Sequence, residues 1–158
     1  ELTLGATSDT EDAEGVIIDS GKSTDFDPVI IKEAFRAFLG PIEQIPSAYS
    51  AVKHKGKKLY ELARKGIKVE IEPRKIVISR LDIMDISLPK VRFSVACSKG
   101  TYIRKLAADI GKRLGCGAYL SALRRTRSGD FTIDKAITLD QLTALAISDQ
   151  RPAAIRCE

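Results

Sequence analysis

The chain has no tryptophan, a single methionine, a single histidine and only five phenylalanines and four tyrosines. One imidazole, His54, argues against a histidine-based zinc centre or a histidine-dependent catalytic triad. The three cysteines (Cys97, Cys116, Cys157) are odd in number and lack CxxC spacing. That pattern fits reduced thiols in a cytoplasm, not a disulfide framework or a metal site. No apolar run approaches the roughly 18–20 residues of a membrane span, and the start does not read as a signal peptide. GxGxxG and GxxxxGK[ST] phosphate loops are also missing, which disfavours a nucleotide-cofactor enzyme. No internal repeat or low-complexity segment is visible, and 158 residues suffice for one domain with a real core.

What is present in quantity is positive charge, unevenly placed. The net charge is +5, yet residues 1–20 carry six acids and no Lys or Arg. Residues 53–75 carry nine basic residues against three acids, and residues 99–127 carry eight against Asp109 alone. Two blocks thus hold 17 of the 26 basic side chains, a surface whose natural partner is a polyanion. Scattered solvating lysines are the plainer alternative.

Hydrophobic spacing divides the chain into strands and helices. A strand is expected over 1–7, returning over 15–19, with a polar and acidic turn at 8–12 between them. Asp27-Pro28 reads as an N-cap with proline at the first helical position, Gly40 as the stop, and Ile31, Phe35, Phe38 and Leu39 as the buried stripe. A short helix over 57–65 follows, with Leu59, Leu62 and Ala63 inward, and then strands over 66–72, 75–87 and 91–97. A helix over 102–114 buries Ile103, Leu106, Ala107, Ile110 and Leu114. Alternation over 119–126, a turn at 128–130 and a strand over 131–133 precede a last helix capped by Thr138 and bearing Leu139, Leu142 and Leu145. The fold class is α+β, a largely antiparallel mixed sheet flanked by helices.

The most informative stretch is Ser98–Arg104, where a strand ends and a helix opens. Thr101 is the expected N-cap. Arg104 then lies in the first turn with Lys99 just outside, and cations there oppose the helix dipole by roughly 0.3–1 kcal/mol each. A carboxylate or phosphate completing the cluster would make sense of that cost. A solvated arginine at a helix start fits the local pattern too.

Several segments, in order along the chain, resemble bacterial tRNA pseudouridine-55 synthases, the TruB family. They are LGATSDTEDAEG (4–15), QIPSAYSAVK (44–53), GKKLYELARKG (56–66), CSKGTYIR (97–104), GCGA (115–118) and LRR (123–125). The resemblance implies a pseudouridine synthase-like catalytic domain over 1–158 with a basic, mobile thumb insertion at about 41–70. It implies an isomerase that breaks the base–ribose bond of one uridine in the tRNA T-arm, rotates the base and rejoins it through C5. Neither the family's G-x-L-D-P-x-A-T-G motif, which holds the nucleophilic aspartate, nor its later KxY tyrosine occurs here. The expectation is a fragment lacking the nucleophile segment and the C-terminal PUA-type RNA-binding module, and inactive alone. A non-catalytic RNA-binding or tRNA-folding module is the competing reading.

By the same resemblance, Arg104 pairs with the aspartate that this chain lacks. Asp12 completes an acid–arginine–acid network through bidentate geometry that lysine cannot copy. Asp12 and Asp9 also suit plain turn-capping. Tyr102 and Leu123 are the expected contacts to an extruded uracil, though Leu123 alone would pass for core. Lys53, Lys55, Lys57, Lys58, Arg64 and Lys65 are the expected RNA contacts, helped by Tyr49, His54 and Tyr60. Arg124, Arg125 and Arg127 either bear on phosphates or stay solvated. No cofactor, metal or membrane is expected; the expected partner is a T-arm stem-loop, bound by a monomer in the cytoplasm.

Overall fold

The computed structural model describes residues 1–47, 50, 52–54, 56–67, 69 and 71–147. The chain divides into two units, Glu1–Leu123 and Arg124–Glu158. Among the described residues no helix is long and apolar enough to cross a membrane.

The first unit is α+β. Its main sheet is built from β1 (Leu2–Leu4), β4 (Gly40–Gln44), β7 (Arg74–Ser87), β8 (Lys90–Cys97) and β9 (Ala118–Leu120), in the order β4-β7-β8-β1-β9. All four pairings are antiparallel. Two hairpins stand apart: β2 (Ala6–Ser8) with β3 (Ile17–Asp19), and β5 (Lys53–His54) with β6 (Lys57–Lys58). Helices α1 (Pro28–Arg36) and α3 (Ile103–Leu114) cover the sheet, and α2 (Leu59–Arg64) follows β6.

The core lies between sheet and helices. Leu2, Ile31, Ile78, Val91, Leu106 and Ile110 are fully buried within it, and Phe35 meets Phe93 edge to face at 5.3 Å. Each large aliphatic side chain buried this way contributes about 1.5–3 kcal/mol. β7 shows how the sequence writes such a face. Its inward residues, Ile76, Ile78, Leu81, Ile83 and Ile86, are spaced by two and then by three. Register shifts between Ile78 and Arg80 and between Ile83 and Asp85 supply the extra residues, each re-phasing the strand toward the core.

Helix α1 starts as expected: Asp27 Oδ1 accepts the Val29 N–H at 2.7 Å and Pro28 fills the first helical position. Several boundaries differ from the sequence reading. Gly40 does not stop α1, which ends at Arg36; with φ of +90° it opens β4 instead. Leu39 is exposed, and Ala34 takes the inward place expected for it. The expected 1–7 strand is broken at Gly5 (φ +88°) into β1 and β2. None of the described residues within 66–72 is in a strand. Thr101 does not cap α3. Its hydroxyl donates back to the Ser98 carbonyl at 2.9 Å, and Tyr102 occupies the cap without a side-chain hydrogen bond.

Of the alternation expected over 119–126, only Tyr119 and Leu120 lie in a strand, β9 of the first unit. In the second unit, β10 (Arg127–Ser128) and β11 (Phe131–Thr132) form the expected hairpin around Gly129. A 3₁₀ turn at Ile133–Lys135 leads to α4 (Leu139–Ile147). Thr138 and Gln141 close a reciprocal cap: Gln141 N–H donates to Thr138 Oγ1 at 3.1 Å, and Thr138 N–H to Gln141 Oε1 at 2.8 Å.

Candidate active site

The acidic loop between β2 and β3 and the first turn of α3 meet at one ion pair. Arg104 Nη1 lies 3.0 Å from Asp12 Oδ2, with side chains 24% and 21% exposed. These residues are 92 apart in sequence. The loop anchors the carboxylate with hydrogen bonds of its own. Thr10 Oγ1 donates to Asp12 Oδ1 at 2.6 Å and the Glu14 N–H donates to the same oxygen at 3.2 Å. One oxygen is thereby anchored to the loop while the other faces the guanidinium. Asp9 serves the turn itself, accepting the Val16 N–H at 2.8 Å.

Burial works against the charged form of Asp12, but the Thr10 hydroxyl, Arg104 and the Glu14 amide together hold its carboxyl below the ordinary value of 3.8. Its neighbour goes the other way. Glu11, the one non-glycine residue with positive φ (+67°) among those described, is pushed up by burial, opposed by Lys105 and by a hydrogen bond from Ser47. Lys105 Nζ sits 3.6 Å from Glu11 Oε1 and 2.9 Å from Asp109 Oδ1. Consecutive acids on the loop therefore meet consecutive cations on α3, fixing the register between them.

A depressed folded pKa stabilises the fold fully above the unfolded value, and that stabilisation is lost as pH falls through the folded value. Asp12 should accordingly contribute at neutral pH and begin to lose that contribution as acidification passes about 3.8, the loss continuing as pH falls through the lower folded value. Glu11, raised, acts with the opposite sign. Subtracting the denaturant stability of Asp12→Asn from that of the native chain at each pH isolates the Asp12 limb. A difference that is flat down to about pH 2 would show that Asp12 gains nothing from Arg104 and its loop.

Tyr102 precedes α3 with its ring centroid 6.0 Å from Arg104 Cζ, within reach of a cation–π contact. Its backbone is held on both sides by a buried amide: Tyr102 N–H donates to Gln44 Oε1 at 2.9 Å, and Gln44 Nε2 donates to the Tyr102 carbonyl at 3.1 Å. The sequence signals Gln44 only as one letter of the 44–53 stretch, because its two bonds span 58 residues. Leu123 is 64% exposed at the end of the first unit, so it is not core there.

The basic block is partly described. Lys57, Lys58 and Lys65 are exposed, and Lys58 Nζ lies 3.4 Å from Tyr60 Oη. Lys53 and His54 form β5 and Arg64 lies in α2; their side chains, together with Tyr49 and Lys55, lie outside the described residues. Lys99 is exposed, as are Arg124, Arg125 and Arg127 in the second unit. Among the described residues no group of three His, Cys, Asp or Glu side chains could hold a metal ion. An anchored carboxylate, a guanidinium and an aromatic face suit a site that holds a further anion close to a planar ring.

Comparison with known proteins bears on that geometry. The family model described as TruB family pseudouridylate synthase (N terminal domain) matches residues 1–103, and the one described as tRNA pseudouridylate synthase B C-terminal domain matches residues 104–156. tRNA pseudouridine synthase B of Alkaliphilus oremlandii (strain OhILAs) is 51% identical over 145 residues, covering 92% of this chain and 48% of that protein. The protein of the same name from Burkholderia mallei (strain NCTC 10247) is 47% identical over 154 residues, covering 98% and 50%. The chain spans about half the length of the curated relatives it matches. The crystal structure of a Cbf5-Nop10-Gar1 complex superposes with a TM-score of 0.63 at 27% identity, covering 96% of this chain and 37% of that one. A structure of an H/ACA RNP bound to a substrate RNA containing 2′-deoxyuridine gives 0.58 at 27% identity, covering 82% and 33%. With family models matching across both units, and half the residues shared with such relatives, the chain belongs to the TruB family of pseudouridylate synthases.

Proposed function

We propose that this chain is the arginine-bearing part of an enzyme that isomerises a tRNA T-arm uridine to pseudouridine. The observation that carries the reading is the Arg104–Asp12 pair, oriented by the loop on one side and set at the N-terminal turn of α3 on the other. Cleaving the C1′–N1 bond builds positive charge on ribose and negative charge on the departing base. That chemistry needs an ionised carboxylate beside C1′ and C2′, and a cation keeping it ionised. Arg104 supplies the cation, Asp12 sets the plane of its guanidinium, and the nucleophilic aspartate comes from sequence outside these 158 residues. Tyr102 and Leu123 contact the extruded base, offsetting a few kcal/mol of unstacking. Lys53, Lys55, Lys57, Lys58, Arg64 and Lys65, in a thumb at about 41–70, hold the RNA backbone.

Two measurements test this. The full-length protein should form pseudouridine in a T-arm stem-loop, whereas a polypeptide of residues 1–158 alone should give none above a protein-free control. Turnover by residues 1–158 would remove the need for an external carboxylate. A full-length protein that binds the stem-loop without turnover would favour the RNA-binding module instead.

Reversing Lys57 and Lys58 to Glu should weaken RNA binding irrespective of sequence. The dependence of log K on log salt should flatten by about one unit for each phosphate no longer neutralised. An unchanged slope would take both lysines out of the interface.

A further inference from the structure

We propose that Gln44 is a positioning residue, fixing Tyr102 and through it Arg104 from the root of the basic segment. The inference rests on reading the Arg104 site as the catalytic one. Gln44 is the last residue of β4 and only 3% exposed, so its amide has been taken out of water and must find partners inside. It finds both on one residue. Its oxygen accepts the Tyr102 N–H and its nitrogen donates to the Tyr102 carbonyl, a two-point pairing of side chain with backbone. The pairing also fixes which way the amide points, since the flipped amide would set donor against donor and acceptor against acceptor.

Tyr102 needs such a brace. It occupies the cap of α3 without any side-chain cap of its own, and no acid stands in the first turn. Its carbonyl already accepts the first helical bond, from Leu106 N–H at 3.0 Å, so Gln44 uses the second lone pair. Whatever holds the Tyr102 backbone sets where the first turn begins, and Arg104 is two residues into it. Three residues beyond Gln44, the buried Ser47 hydrogen-bonds Glu11, next to Asp12 on the acidic loop. The 44–47 segment thus reaches a chain neighbour of each half of the ion pair, Gln44 on Tyr102 and Ser47 on Glu11, and the same segment leads into the basic block.

The test uses Gln44→Ala and Gln44→Glu. In the 158-residue chain with labelled arginine and tyrosine, Gln44→Ala should displace the Arg104 and Tyr102 side-chain resonances while those of Arg80 and Arg92 stay in place. Gln44→Glu supplies a rescue that pH controls. Burial raises the pKa of the new carboxyl, and at about pH 5 the neutral acid accepts and donates as the amide does. At about pH 8 the carboxylate can no longer donate to the Tyr102 carbonyl. The Arg104 signals of Gln44→Glu should match the native chain at the lower pH and depart from it at the higher. The native chain, with Glu11, Asp12 and Lys105 unchanged, is the reference at each pH. In the full-length protein, Gln44→Ala should lower kcat by about tenfold or more, with KM for the RNA within about twofold. Arg104 signals that overlay the native ones in Gln44→Ala would overturn the proposal. So would Gln44→Glu signals that follow the native chain at both pH values, which decides the matter even if the alanine variant does not fold. None of these spectra needs RNA, so a native protein without pseudouridine activity would sink the functional reading alone.

Discussion

Replacing Arg104 by alanine in the full-length protein is expected to lower the rate of pseudouridine formation by about 10²–10³-fold, the usual loss when one preorganised charge partner leaves a reacting centre. Affinity for the stem-loop should stay within about threefold, because the interaction removed is made in the transition state and not on binding. Arg104→Lys should recover little. A lysine keeps the charge but not the planar array of donors that meets Asp12 at 3.0 Å and can turn a second edge to another carboxylate. Single-turnover rates at saturating enzyme, measured beside equilibrium binding of the same RNA, separate the two effects. Loss of binding with an unchanged rate would make Arg104 an RNA contact and nothing more.

The second large effect concerns packing. Gly111 lies inside α3, where alanine ordinarily stabilises a helix by about 1 kcal/mol over glycine. Here the sign should reverse. A Cβ at Gly111 would press into the backbone nitrogen and Cβ of Ala118 and the carbonyl carbon of Gly117, while the Gly111 carbonyl accepts the Gly117 N–H at 3.0 Å. Backbone cannot yield as a side-chain tip would, so Gly111→Ala should cost about 3 kcal/mol, the upper part of the range for overpacking. Urea unfolding of the 158-residue chain would show it. An unchanged or raised midpoint would mean that α3 and β9 are not held as closely as described.

Local chemistry made much of this legible. The α+β class, the Asp27 cap, the 128–130 turn and the inward face of α3 are all written in short-range patterns. So were the acids of the 8–12 loop and the basic blocks. The misreadings share a cause. Thr101 and Gly40 have the residue types of helix caps, but each serves a neighbouring turn or strand whose partner lies elsewhere: Ser98 in one case, Ile78 in the other. The uneven spacing of β7 is legible only once its bulges are known. At the site, Arg104 and Asp12 could be paired by resemblance to a family, not by spacing. The partners of Gln44 and Glu11 carried no signal in local spacing, because they are fixed by how the sheet closes; of the two partners of Lys105 only Asp109, four residues on along α3, is local.

The order of that sheet has a consequence in time. Leu2–Leu4 lies between β8 and β9, hydrogen-bonded across to residues 118–120. The β1–β9 pairing joins Leu2 to Leu120 and Leu4 to Ala118, so it must wait for the chain through residue 120, and long closures of this kind form slowly. Asp12 follows the early strand and Arg104 precedes the late one, so the same event that completes the sheet brings carboxylate and guanidinium together. During synthesis the carboxylate of the early loop therefore waits, unpaired with its guanidinium, for a strand made more than a hundred residues later.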